Sequence, residues 1–96
     1  MIVRGSGAVL VTGGGRGIGR ATAIAAAEAG FSVAVNYLQN QKAAEETADV
    51  IREKGGRASV FGADVRDSPA VHEMVRRVDA DLGDIEGLVN NAGTLT

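Results

Sequence analysis

Four short runs of apolar, mostly β-branched residues recur along the chain: Ala8-Val-Leu-Val-Thr12, Ser32-Val-Ala-Val-Asn-Tyr37, Ala58-Ser-Val-Phe-Gly-Ala-Asp64 and Gly87-Leu-Val-Asn90. Short, unbroken runs of this kind fit parallel strands that are covered on both faces. The intervening segments read as helices. Gly17 to Ala29 is dominated by alanine and isoleucine, whose side chains favour a helix lying close to a sheet, and Gly30 is placed to end it. Gln41 to Lys54 sets Ala44, Ala48 and Ile51 on one face and stops at Gly55-Gly56. A third helix opens with Asp67 or Ser68 as N-cap and Pro69 in the first turn. It aligns Val71, Met74, Val75, Val78 and Leu82 in one stripe and closes at Gly83. Strands that alternate with helices imply right-handed parallel crossovers. The expected architecture is an open doubly wound α/β sheet of about four parallel strands, order 3-2-1-4, with helices on both faces. Its ligand crevice should lie outside the carboxyl ends of strands one and four.

Length and composition narrow this only a little. The 96 residues (1–96) suit one domain with no internal linker or repeat, 45% of them apolar and 23% charged, close to ordinary globular usage. A domain this short buries only about 60–65% of its unfolded surface, so its stability margin is expected to be thin. The net charge of −2 offers no general positive field to draw nucleic acid or an anionic membrane. No apolar stretch approaches the ~18 residues of a membrane span, and the amino terminus lacks the pattern of a signal peptide. The absence of cysteine excludes disulfides and thiolate metal sites and is compatible with the cytoplasm, the expected location. His72, without a ligand-spaced partner, reads as a solvated helix residue rather than a metal ligand.

The chemistry concentrates in Thr12-Gly-Gly-Gly-Arg-Gly-Ile-Gly19, between the first strand and the first helix. There Gly13 can turn the chain, Gly17 lets backbone approach a pyrophosphate and Gly19 lets the helix close on the strand. Free N–H groups and the positive end of the helix dipole then attract an anion without a charged side chain. The spacing is Gly-x-x-x-Gly-x-Gly; a Gly-x-Gly-x-x-Gly register would need glycine at Ile18 or Arg20. A phosphate loop of the Walker type fails as well, because Arg20-Ala21 stands where Lys-Ser/Thr is required.

A second motif, Asn90-Asn-Ala-Gly93, closes the fourth strand at the same sheet edge, and Asp64-Val65 follows the third. The three motifs, in this order and on these elements, resemble the short-chain dehydrogenases/reductases, in particular 3-oxoacyl-acyl-carrier-protein reductases and glucose 1-dehydrogenases. The resemblance covers essentially the whole chain and implies a partial Rossmann fold that binds a nicotinamide dinucleotide. Carried over, it implies that Gly13, Gly14, Gly15, Arg16, Gly17, Ile18 and Gly19 line the pyrophosphate and the adenosine ribose. It further implies that Asp64 bonds the adenine amino group while the Val65 backbone reads the ring. Asn90 would steady the sheet, and Asn91, Ala92 and Gly93 would border the cofactor toward its nicotinamide. Asp64 could instead simply cap the turn before the third helix.

The end of the second strand bears on the cofactor. Asn36 and Tyr37 are placed beside the adenosine ribose, and no carboxylate occurs in Asn36-Tyr-Leu-Gln-Asn40 to hold a ribose 2′-hydroxyl. With Arg16 in the glycine loop, NADP is the better fit and NAD the alternative. The resemblance also implies hydride transfer with a carbonyl or alcohol substrate, served by a serine and a Tyr-x-x-x-Lys. Neither is matched: the only tyrosine, Tyr37, is followed four residues later by Gln41. The 96 residues alone are therefore expected to bind without turnover, as part of an oxidoreductase or, alternatively, as a non-catalytic nucleotide- or partner-binding remnant. The fourth strand is expected to form an open edge with Leu88 and Val89 uncovered, an invitation to self-association.

Overall fold

The computed structural model describes residues 7–91. Its elements alternate as β1 (Ala8–Thr12), α1 (Gly17–Glu28), β2 (Ser32–Tyr37), α2 (Gln41–Glu53), β3 (Ala58–Gly62), α3 (Ser68–Leu82) and β4 (Ile85–Asn90). The strands form one parallel sheet in the order β3-β2-β1-β4, the expected topology.

The unbroken apolar character of β1 follows from its place. All five of its residues are buried, because both faces of the strand are roofed. Val9 and Val11 face α1 and α2, joining Val33, Val35, Ala44, Ala48 and Ile51. Ala8 and Leu10 face α3, joining Ala34, Phe61, Met74, Val78 and Leu82. The two-residue period of a strand thus sorts consecutive apolar residues into two separate cores.

Side-chain caps set the starts of two helices. Asn40 caps α2, its side chain accepting from Ala43 N at 3.0 Å. Asp67, rather than Ser68, caps α3 by accepting from Ala70 N at 3.3 Å, with Pro69 in the first turn. Three details depart from the expected boundaries. β4 starts at Ile85 instead of Gly87, because Ala8 pairs with Ile85 and Val9 with Gly87, a register shift that leaves Glu86 over. β3 stops at Gly62, and Asp64 to Asp67 form a turn closed by Asp67 N donating to the Asp64 carbonyl at 2.9 Å. In the α3 stripe, Met74, Val78 and Leu82 are buried, whereas Val75 is 38% exposed and faces the uncovered side of β4.

Candidate functional site

The chain leaves β1 toward β2 on one side while β4 joins on the other, so a crevice opens beyond the carboxyl ends of β1 and β4. The glycine loop forms one wall of it. Gly13 turns at φ 63°, and Gly14 N donates to the Asn36 carbonyl at 3.1 Å, tying the loop to β2. A Cβ on Gly15 would meet the backbone of Ala43 and Ala44 at 3.0–3.2 Å, and the Gly15 carbonyl accepts from Thr47 Oγ1 at 3.2 Å. The loop is therefore clamped on α2 as well. Gly19 lies so close to the Gly13 carbonyl that no side chain fits between.

Gly17 is different: a Cβ there would meet nothing within 4 Å, leaving this side of the loop open. Arg16 is the extended N-cap of α1 and makes no side-chain cap, so the first turn of the helix presents N–H groups without a side-chain acceptor. Arg16 and Ile18 are both exposed beside it, Ile18 at 75%. This open, uncapped helix start on a rigid loop is the feature best suited to an anion.

Thr12 joins the loop to the second motif. Its buried hydroxyl accepts from Asn91 N at 2.9 Å and lies 3.0 Å from Asn90 Oδ1 and 3.3 Å from the Val89 carbonyl, either of which can take its one proton. Thr12 was not singled out as a site residue; a hydroxyl at the end of an otherwise apolar buried strand was the available signal. Asn90 and Asn91 thus sit against the glycine loop, while Ala92 and Gly93 lie outside the described residues. Val65, Thr12 and Asn90 rim a cleft of about 260 Å³ that runs down between α3 and β4 past Met74, Val75 and Leu88.

The side chain of Asn36 is turned into the protein rather than toward the crevice. Asn36 is 2% exposed, and its amide donates to the carbonyls of Phe61 and Ala63 at 3.2 and 3.1 Å. The side chain thus holds the end of β3 rather than facing solvent. The Tyr37 ring lies against Gly62, where a Cβ would come within 2.8 Å of it.

Asp64 leads the β3–α3 turn. Its Oδ1 accepts from Arg66 N and Nε at 2.9 and 3.1 Å, and its Oδ2 from Arg66 Nη2 at 3.0 Å. The guanidinium hydrogen bonds, then the backbone N–H of Arg66, hold the Asp64 carboxyl below its ordinary value against a slight opposing desolvation. Arg66 had no signal in the sequence, being one exposed arginine among several. Among the described residues no group of three or more His, Cys, Asp and Glu is arranged for a metal, and no helix is long and apolar enough to cross a membrane.

Sheet order, crossover helices and glycine loop together define a doubly wound α/β fold of the Rossmann type. The family model of the short chain dehydrogenases matches residues 7–96, and the chain belongs to that family. It is 50% identical over 86 residues to an uncharacterized oxidoreductase, YgfF, of Escherichia coli, covering 90% of this chain and 35% of that protein. It is 43% identical over 84 residues to the 3-oxoacyl-[acyl-carrier-protein] reductase FabG of Staphylococcus aureus, covering 88% of this chain and 34% of that one. A crystal structure of a dehydrogenase/reductase from Sinorhizobium meliloti superposes with a TM-score of 0.91 at 38% identity, over 96% of this chain and 36% of that chain. The chain thus spans about a third of the length of each of these three proteins.

Proposed function

We propose that this chain is the NADP(H)-binding part of a short-chain oxidoreductase that acts on a carbonyl or alcohol substrate. The observation that carries the proposal is the uncapped start of α1, opened by Gly17 and braced by Thr12 against Asn90-Asn91. Gly13 to Arg16 and Ile18 line the pyrophosphate and adenosine ribose. Asp64 accepts from the adenine amino group, Val65 reads the ring through its backbone, and Asn91, Ala92 and Gly93 border the nicotinamide side. Asn90 steadies the β1–β4 junction, and Asn36 acts indirectly, by fixing the strand that delivers Asp64. A bound nicotinamide supplies or accepts the hydride. The residues of this chain bind and orient it, since the 96 residues contain no Tyr-x-x-x-Lys.

The preference for the 2′-phosphate rests on Arg16 and on the absence of a carboxylate in residues 36–40. Arg16 is exposed, so its charge-assisted contact is worth on the order of 1 kcal/mol, about fivefold in Kd. Calorimetric titration is expected to show tighter binding of NADPH than NADH, and Arg16→Ala should bring the two together. Equal affinities in the unmutated chain would rule the preference out.

Leu88, 64% exposed on the α3 face of the edge strand β4, favours association of copies through this edge. Val89, by contrast, packs partly on the core and contributes less to that surface than its hydropathy suggests. Light scattering after size exclusion should give a mass that rises with concentration, and Leu88→Lys should suppress the rise. A monomer at every concentration would count against association.

A further inference from the structure

Arg66 and Asp64 form a closed local fork at the carboxyl end of β3. The Arg66 side chain is 81% exposed and that of Asp64 33% exposed, so neither is needed to fill the core. Yet the carboxylate is not free to turn. Its Oδ1 takes both the backbone N–H and Nε of Arg66, and its Oδ2 takes one Nη2 hydrogen. An ionised carboxylate offers about four lone-pair sites, so three occupied sites leave one on Oδ2. The opposite acid of the turn, Asp67, directs its carboxylate to Ala70 N, and no charged side chain other than Arg66 lowers the Asp64 carboxyl. Val65, the next residue, rims the cleft with Thr12, and the parallel sheet sets the turn that carries Asp64 at the same end as the glycine loop.

We infer that Arg66 is a positioning residue: its guanidinium locks the Asp64 carboxylate so that the one unfilled Oδ2 site accepts a hydrogen bond from the 6-amino group of a purine. The inference rests on the cofactor reading above and adds a source of base selectivity to it. A locked carboxylate rewards an amino group and repels the keto oxygen that hypoxanthine carries at the same position. A carboxylate without the fork can swing aside, losing the reward and the penalty together. Preorganisation of this kind acts by removing an ordering cost from the binding step.

The test is titration of the full 96-residue chain with NADPH and with its hypoxanthine analogue, using Arg66→Met, Arg66→Lys, Asp64→Ala and the Asp64→Ala/Arg66→Met pair. Arg66→Met keeps the side-chain stem and the backbone N–H. It should weaken NADPH about three- to tenfold while leaving the analogue unweakened or somewhat tighter, since its penalty is lost as well. Arg66→Lys, a point charge without a planar fork, should recover part of the loss. In the Asp64→Ala background Arg66→Met should cost nothing further. Carbon NMR of the Asp64 carboxyl should show its titration moving up toward the ordinary carboxylate range in Arg66→Met, and the acid limit of NADPH binding should move up with it. Tighter NADPH binding by Arg66→Met would mean that the guanidinium blocks the site. An equal loss on both dinucleotides, or an undiminished loss without Asp64, would mean that Arg66 acts on its own; each of these overturns the inference. Binding indifferent to Arg66 overturns it alone, whereas no binding by the unmutated chain overturns the cofactor reading with it.

Discussion

Gly19→Ala is expected to cost the chain about 3 kcal/mol or more, beyond the usual 1–3 kcal/mol of overpacking, because the obstruction is backbone. The added Cβ would collide with the Gly13 carbonyl oxygen and sit 2.9 Å from its carbon and 3.1 Å from Gly14 Cα. None of these atoms can rotate away. Either α1 lifts off the strand or the loop opens, and both undo the contact that sets the helix start over the crevice. A domain of this size holds roughly 5–15 kcal/mol in all, so much of the margin would go. Urea unfolding followed by circular dichroism measures the loss. Gly17→Ala is the control: its Cβ meets nothing within 4 Å, and only its φ of 58° is strained, which costs about 1–2 kcal/mol. Equal midpoints for the two variants would refute the distinction between a packing glycine and a conformational one.

The second large effect is expected at Asn36→Leu, a swap of similar volume that puts an apolar side chain into a buried site. Apolar for polar in a core is often neutral or stabilising when both partners of a hydrogen bond are replaced. Here only the donor is removed. The carbonyls of Phe61 and Ala63 lose the amide that reaches them at 3.2 and 3.1 Å, at the point where β3 ends and the Asp64 turn begins. Stranding acceptors in the interior costs about 1–3 kcal/mol each, so the two carbonyls together place the variant roughly 2–6 kcal/mol below the unmutated chain. Thermal melts would show the drop, and NADPH titration should show weaker binding even where the protein remains folded, because the strand end carrying Asp64 is released. A variant as stable as the original would show that Asn36 is dispensable to the sheet.

Both effects bear on how far this molecule can be read from its residues. The alternation of elements was legible because each follows from near neighbours. The four apolar runs, the cap at Asp67 and the positive-φ glycines Gly30, Gly55 and Gly83 past the helices all act over a few residues. The strand order followed from the handedness of the crossovers, and the glycine loop from its setting between a buried strand and a helix.

What the sequence could not decide is set by partners far along the chain. Asn36 looks like any polar residue at a strand end, and only contacts 25 and 27 residues away turn it inward. Thr12 becomes the link between the two motifs because residues 77 to 79 positions later pair with β1. The early start of β4 comes from a register shift against Ala8, and the exposure of Val75 from a sheet whose edge α3 does not cover. Residue identity by itself therefore determined the elements, their order and the glycine loop, since hydrophobic period, capping and glycine geometry are local. The tertiary structure alone decided which polar groups are spent holding strands together and which stay available to a ligand, because a hydrogen bond is assigned by distance in space and not along the chain.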